Sequence, residues 1–528
     1  MRFLAALALA VATTPVLVVG QSAGPVSAAT VPLPPVQARS AASVVDGFGV
    51  GVHLAYEDTP YRNTTAVANA LAALGVRHVR DDLFVGDTTQ YAAIRTVAAK
   101  GIDFDLIMGS PSSPRPAKDY VAAVAGQLPG VVSSLEGPNE WDHFSGGGPA
   151  WPSQLRARQS ALYAAAKADP RTRSLPVLAP SLAFAKNYPL VGDLSAISDV
   201  ANGHLYPGGR PPSADLSGLF TKLRTVTGAS KPIVITEAGY HNALATTDGH
   251  HPVPESVHAT YLPRLLMEHL RGGAARVYSY ELVDEFADPG RTNPEANFGL
   301  LRRDLTPKPA YTAMQRLLAV FQDSSTSFAP GSLAYAVEGG RTDLRQLLVQ
   351  KSTGEFDLVL WRDVSVWDPI ARRALNPAPY RVQVRLGQAR AGSVVAPTSG
   401  ATTSFTATDS VPVDLGADVS VVRLTAPAAG GSATVAPTTT AAPARSAKVS
   451  ARAGRASVRV SWHAPTTGGA PIQEYRVSAG SRTRVVPATT RSTVVRGLPR
   501  RAWVRITVQA RNDVGWGSAA RSGRVRTR

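Results

Sequence analysis

Short apolar runs alternate with longer segments of helical spacing between residues 47 and 325. Eight of the runs read as strands: Gly47–Tyr56, Val76–Leu83, Phe104–Gly109, Val131–Gly137, Pro176–Pro180, Val200–Tyr206, Pro232–Glu237 and Arg276–Glu281. Segments between them often place apolar residues on one helical face, as Leu155, Leu162 and Ala166 do, and as Tyr261, Leu265, Leu266, His269 and Leu270 do. Alternation of this kind predicts parallel βαβ units. Eight of them over about 280 residues match the size of a (β/α)8 TIM barrel, so the expected class is α/β, with the barrel at 43–325. A doubly wound open sheet is the structural rival, but no glycine-rich phosphate loop follows the first run.

The pattern changes beyond the barrel. Lys308-Pro309-Ala310-Tyr311 opens the last helical segment, which ends near Gln322. From Ser332 to Thr425 short alternating runs separated by turn residues predict an antiparallel β-sandwich accessory domain at 326–425. Residues 426–445 are rich in Ala, Thr and Pro and read as an extended linker. In the last segment, 446–528, Trp462, the Pro465–Pro471 turn, Ile472-Gln473-Glu474-Tyr475, Gly497-Leu498 and Val508 through Asn512 to Gly515 resemble a fibronectin type III domain. The resemblance implies a seven-stranded spacer or docking unit, with Trp462 and Tyr475 in its core.

The first residues carry a signal-like pattern: Arg2, an apolar stretch Phe3 to Val19, and the small-residue site Val26-Ser27-Ala28-Ala29. A signal peptide at 1–29 is expected, and with it a secreted, extracellular protein. Thr13, Thr14 and Pro15 interrupt the alternative, a transmembrane anchor, and no later stretch is long and apolar enough for a membrane span in the mature chain. A Pro/Ala/Ser-rich lead, 24–42, is expected to be extended. Among the 528 residues there is no cysteine, which excludes disulfides, thiol nucleophiles and Cys-ligated metal centres. The net charge of +17 is unevenly placed: residues 446–528 hold 17 Lys and Arg against Glu474 and Asp513, leaving +2 for everything before. The basicity is therefore no signal for nucleic acid in the barrel. A cationic module on an exported protein suits an anionic cell-wall polymer or an acidic glycan. Genome composition explains it equally well, since 16 of the 17 are Arg.

Two carboxylates stand out by position. Glu140 ends Val131-Val132-Ser133-Ser134-Leu135-Glu136-Gly137-Pro138-Asn139-Glu140, and Glu237 ends Pro232-Ile233-Val234-Ile235-Thr236-Glu237. Active sites of such barrels lie at the C-terminal strand ends, which places both in one pocket. Either residue alone would pass as a strand cap or half of an ion pair. Gly137-Pro138-Asn139-Glu140-Trp141 resembles the strand-four Asn-Glu motif of clan A glycoside hydrolases, and Ile235-Thr236-Glu237 their strand-seven nucleophile motif. Weaker signals agree with the same resemblance: Arg80 in Val79-Arg80-Asp81, His204 and Tyr206 in His204-Leu205-Tyr206, and Asn297-Phe298-Gly299-Leu300 followed by Pro307-Lys308-Pro309-Ala310-Tyr311. The look is of family thirty-nine or family five enzymes with an appended β-domain. The departure is Tyr278-Ser279-Tyr280-Glu281, which lacks the strand-eight tryptophan common there.

The resemblance implies a retaining glycosidase without a cofactor, acting on a carbohydrate substrate. Glu140 would be the general acid/base and Glu237 the nucleophile, held about 5–5.5 Å apart. Arg80 would keep Glu237 ionised, Tyr206 would donate to it, and Asn139 would bind the sugar 2-hydroxyl. His53, at the end of strand one, reads as a sugar ligand or a core histidine; Trp141 and Tyr280 as stacking platforms or ordinary packing. Glu136 is expected to pair inside the barrel, and Asp284 and Glu285 to lie in a solvated loop. The histidines His241, His250, His251 and His258 fit no familiar zinc spacing, and no metal is expected. Two other readings stay open: a non-catalytic carbohydrate-binding or wall-associated protein, and a transglycosylase on the same barrel.

Overall fold

The computed structural model describes residues 33–109, 115–146, 148–325, 327–426, 442–444, 446, 449–465, 472–488, 490–512 and 515–528. The expected signal peptide, nearly all of the linker and most of the Pro465–Pro471 turn lie outside them. The chain enters through two short strands, β1 (Pro35–Gln37) and β2 (Arg39–Ser40). Eight parallel strands follow: β3 (Phe48–Gly51), β4 (His78–Asp82), β5 (Asp103–Ile107), β6 (Val132–Glu136), β7 (Val177–Leu178), β8 (Ala201–Leu205), β9 (Ile233–Ala238) and β10 (Ala274–Ser279). Their order is β7-β6-β5-β4-β3-β10-β9-β8, and a parallel bridge from Leu178 to Val200 joins the two ends into a closed barrel. Each of the eight predicted runs overlaps one of these strands, with β5, β9 and β10 reaching one or two residues beyond theirs.

Helices cover the outer face, so the strands are buried on both sides and read as nearly continuous apolar runs. Every residue of β8 and β9 is buried. The helix Glu255–Gly272 buries Tyr261, Leu262, Leu265, Leu266, His269 and Leu270, and Gly273, at φ 101°, ends it in the left-handed conformation. The barrel interior, usually apolar, is polar toward the upper end, where Arg80, Glu136, Asn202 and Thr236 lie buried together.

Strands β11 (Ser332–Glu338), β12 (Leu344–Gln350), β13 (Phe356–Arg362), β14 (Trp367–Asp368), β15 (Arg373–Ala374), β16 (Tyr380–Ala396), β17 (Ala401–Leu415) and β18 (Ser420–Leu424) build the accessory β-domain. Strand β16 runs through both halves of its main sheet: Gln383–Leu386 pair with β11, and Gly392–Val395 pair with β18. The lead expected to be merely extended joins this sheet, since β1 pairs with β11 and β2 with β12. One face of the β-domain, with Val349, Val359, Trp361 and Val421, packs into the barrel's core, and the domain encloses a second core of its own around Leu358, Leu360 and Val382. Trp361 is fully buried and donates from Nε1 to Glu268 on the helix Glu255–Gly272 at 2.7 Å. Trp367 donates to the Pro252 carbonyl at 3.0 Å, and Arg264 to that of Val364 at 2.8 Å.

The C-terminal module pairs a three-stranded and a five-stranded antiparallel sheet. Trp462 and Tyr475 are buried between them, with ring centres 5.3 Å apart. Among the described residues, no helix is long and apolar enough to cross a membrane.

Candidate active site

Glu237 stands in β9, and Glu140 follows β6 at the start of a short helical turn, Trp141–Phe144. Both reach the same cleft of about 680 Å³ at the C-terminal end of the barrel. One oxygen from each, with a nitrogen of His204, lie within 4.8 Å of one another. Glu140 has φ 41° and ψ 44°, a left-handed conformation that is uncommon for a residue with a side chain. Backbone outliers of this kind cluster at functional sites, where the surroundings hold them in place.

Arg80, on β4, organises the pair from below. Its Nε and Nη2 grip Glu136 at 2.6 and 2.9 Å, Nη1 donates to Glu237 Oε1 at 2.6 Å, and Nη2 also donates to Asn139 Oδ1 at 2.7 Å. Ser181 donates to the same Asn139 oxygen at 3.0 Å, which leaves the amide NH2 of Asn139 for an incoming hydroxyl. Tyr206 donates to Glu237 Oε2 at 2.5 Å. Burial alone would raise the pKa of Glu237, but the charges of His204 and Arg80 and the hydrogen bonds from Tyr206 and Arg80 outweigh it and hold the carboxyl below its ordinary value. Glu237 is thus kept ionised while nearly dry.

The proton near Glu140 can be traced through its neighbours. Asn202 donates to Glu136 at 3.0 Å and to the Ala179 carbonyl at 3.1 Å, so its own oxygen is an acceptor. Thr236 has one hydroxyl proton, with Asn202 Oδ1 at 2.7 Å and Glu136 Oε1 at 3.1 Å as its takers. Towards His204 Nε2, 3.1 Å away, Thr236 therefore accepts, and Nε2 carries hydrogen. The other ring nitrogen, Nδ1, meets Glu140 Oε1 at 2.8 Å, a contact that requires one shared proton. Burial lowers the pKa of His204, yet Glu237 and Glu140 together bring it above the ordinary value. The arrangement is a proton held between Glu140 and His204 beside an anion that keeps none.

Of the secondary candidates, Tyr280 and His53 line the cleft and Trp141 does not. Trp141 is 4% exposed; its ring lies under the Arg158 guanidinium at 4.8 Å and faces a separate cavity beside the helix Trp151–Ala168. The helical turn that begins after Glu140 rotates Trp141 away from the cleft, so it packs rather than stacks on ligand. Tyr280 donates to Glu295 at 3.2 Å and meets Phe298 edge-on at 5.2 Å. Burial pushes His53 down to about 4, so it is a neutral imidazole there. Glu136 pairs inside the barrel. Asp284 and Glu285 do not form a solvated loop: Asp284 is paired with Lys308 at 2.8 Å, and Glu285 is 4% exposed. His241 contacts the His250 carbonyl at 2.8 Å from Nε2, and its ring packs on that of His250. Ser181, Asn202, Asp82, Phe84, Phe144 and Glu295 also belong to the site, though none of them is among the candidates the sequence marks. Phe84 and Phe144, 44% and 58% exposed, are exposed apolar rings in the cleft lining, which no periodicity marks.

A fibronectin type III family model matches residues 441–527. No curated protein matches the sequence. Among solved structures, the chain is similar to a glucosidase from Croceicoccus marinus at 14% identity and TM-score 0.49, covering 68% of this chain and 91% of that one. It is similar to a glycoside hydrolase family 39 β-xylosidase from Caulobacter crescentus at 15% identity and TM-score 0.48, covering 75% and 98%. A family 17 β-1,3-glucanosyltransferase from Rhizomucor miehei aligns at 17% identity and TM-score 0.39, covering 51% and 97%.

Proposed function

We propose that this chain is a retaining glycoside hydrolase that cleaves glycosidic bonds of an extracellular poly- or oligosaccharide by double displacement. The observation that carries this reading is the Glu140–Glu237 spacing, with oxygens within 4.8 Å across one cleft. Such proximity favours retaining geometry, with carboxyl groups about 5–5.5 Å apart, over the 6.5–9.5 Å or so that leaves room for an inverting water.

A glycosidic oxygen leaves poorly unless protonated. Glu140, sharing its proton with His204, protonates that oxygen while Glu237, held ionised by Arg80 and Tyr206, attacks the anomeric carbon. The C–O bond to the leaving group breaks as the Glu237–carbon bond forms. The Asn139 amide meets the sugar 2-hydroxyl, a contact that strengthens in the oxocarbenium-like state. Glu140, now a carboxylate, then takes a proton from water, which displaces Glu237 and returns the site to its starting state. An acceptor sugar in place of water would give transglycosylation through the same intermediate.

A 2-fluoro aryl glycoside slows the second step and tests the assignment. Mass spectrometry is expected to find one fluoroglycosyl group on the peptide containing Glu237. A first-formed product of inverted anomeric configuration, read by NMR, would overturn the reading.

We also assign the C-terminal module a wall-directed role outside the cell. Its arginines crowd the exposed faces of both sheets. Arg452 sits directly opposite Arg459, and Arg505 opposite Arg524. Like charges opposed across strands are unfavourable, and a polyanion laid over them would relieve the repulsion.

A further inference from the structure

Behind the part of the cleft wall made by His53 and Tyr280, the protein buries carboxylates that its own cations do not serve. Glu281 is fully buried and Glu285 is 4% exposed. One atom each from His53, Glu281 and Glu285 lie within 4.8 Å of one another. Glu281 Oε2 takes a long hydrogen bond from Tyr61 at 3.4 Å and stands 3.6 Å from His53 Nε2. Glu281 Oε1, Glu285 Oε1 and both ring nitrogens of His53 have no hydrogen-bond partner. Buried polar groups are ordinarily satisfied, and buried charges ordinarily paired. Among the described residues, no Lys or Arg forms an ion pair with Glu281 or Glu285. The buried Lys308 is committed to Asp284 and Asn242. By contrast, Glu140, His204 and Glu237, which are equally close together, are already matched by Arg80, Tyr206 and Thr236.

We propose that His53, Glu281 and Glu285 bind a divalent transition-metal ion of the Zn2+ or Mn2+ class. One imidazole nitrogen and two carboxylates suit such an ion, whereas Ca2+ and Mg2+ prefer all-oxygen shells. Two carboxylates also neutralise its charge, and the Tyr61 hydroxyl orients Glu281 from the outer sphere. Bonds of about 2.0–2.2 Å require the three donors to draw in by roughly an ångström, a matter of side-chain rotation. The ion would tie His53, just past β3, to the segment after β10 and so hold Tyr280 at the cleft wall. Its role is structural, and the proposal stands apart from the assignment of Glu140 and Glu237.

The test uses the full chain, dialysed against chelator and then equilibrated with Zn2+, Mn2+ or Ca2+ in separate samples before desalting. Mass spectrometry of the metal content is expected to find about one equivalent of Zn2+ or Mn2+ per chain and little Ca2+, with a higher melting temperature in the loaded samples. Co2+ is expected to load the same site and give a visible absorption band. E285Q should retain the ion about tenfold less well or worse. Retention of no ion with no shift in melting, retention of Ca2+ alone, or equal retention by E285Q would each overturn the proposal. Should E285Q not fold, the metal content and the Co2+ spectrum of the wild-type chain decide alone. Metal content is read without substrate, so failure of this site and failure of the glycosidase reading remain distinguishable.

Discussion

The single hydroxyl proton of Thr236 gives Glu140 and Glu237, in one cleft, different proton environments, which is what the proposed roles require. It is spent on oxygens that only accept, so His204 must donate to Thr236 and share its other nitrogen's proton with Glu140. The proposed mechanism then assigns the acid limb of kcat/KM to Glu237, whose pKa lies below the ordinary 4.5, and the alkaline limb to the Glu140–His204 proton, with the histidine above 6.5. The profile is expected to be bell-shaped. T236V, which removes the acceptor for Nε2–H, should move the alkaline limb to lower pH and leave the acid limb in place; a pH–rate series on both proteins checks it. E140A should cost about 10²–10⁴-fold on substrates with poor leaving groups, far less on activated aryl glycosides, with azide restoring the breakdown step. E237Q should lose turnover on every leaving group while still binding. Strand ends made much of this site legible, because residues closing a barrel strand have only one pocket to enter. Asn139, Arg80, His204 and Tyr206 meet Glu140 and Glu237 there. Ser181 and Phe84 sit on loops, and Phe144 ends the single helical turn after Glu140, all too short or irregular to show a periodicity. Trp141 reads as a platform only until the helical turn after Glu140 is seen to carry it away.

Elements are most legible in the sequence where strands are repeated at a regular spacing. The eight barrel runs showed through because each is a dense apolar run separated from the next. β1 and β2 did not, since three and two residues offer no alternation to detect and the surrounding prolines suggest plain extension. Pro35 fits because β1 lies at a sheet edge, where a missing N–H is tolerated. The join between β13 and the helix Glu255–Gly272 was equally hidden, since it depends on Trp361 finding Glu268 across the interface. Burial raises the Glu268 pKa, so the carboxyl needs its indole donor. W361F keeps an aromatic ring and removes only the N–H. It should destabilise the protein by about 1–3 kcal/mol, the cost of an unsatisfied buried group, with kcat at room temperature unchanged. Urea unfolding paired with initial rates would measure both, and a wild-type midpoint would show that the bond adds nothing.

For the whole molecule, charge and titration divide the chain into parts with different duties. The +15 of residues 446–528 sits on a module outside the barrel's shared core, so removing 427–528 should spare turnover of small soluble substrates and abolish retention on a polyanionic resin at moderate salt. The barrel has its own pH sensitivity, placed far from the cleft in part. Burial lowers His258 to about 3 and His269 to about 4, and both are fully buried. His241 is held at about 4 for the same reason. In the unfolded chain these rings titrate near 6.5, so between pH 6.5 and about 4 the unfolded state binds protons that the native state refuses. Their contribution is therefore fully present above pH 6.5 and drains away as the pH falls through that window, by about 1.4 kcal/mol per ring for each pH step of one through which only the unfolded ring is protonated. These rings alone would hold the melting temperature steady from pH 8 to 7 and lower it from about 6 to 4.5, against the opposite contribution of the buried carboxyls Asp82 and Asp105, which burial raises to about 6 and about 7. Replacing His269, whose ring Nδ1 meets only the Leu265 carbonyl, with Gln keeps a donor for that oxygen and removes the titration. H269Q should lose less stability across the acid window than the wild type even if it starts lower. Parallel curves for the two proteins would place the acid sensitivity elsewhere than His269.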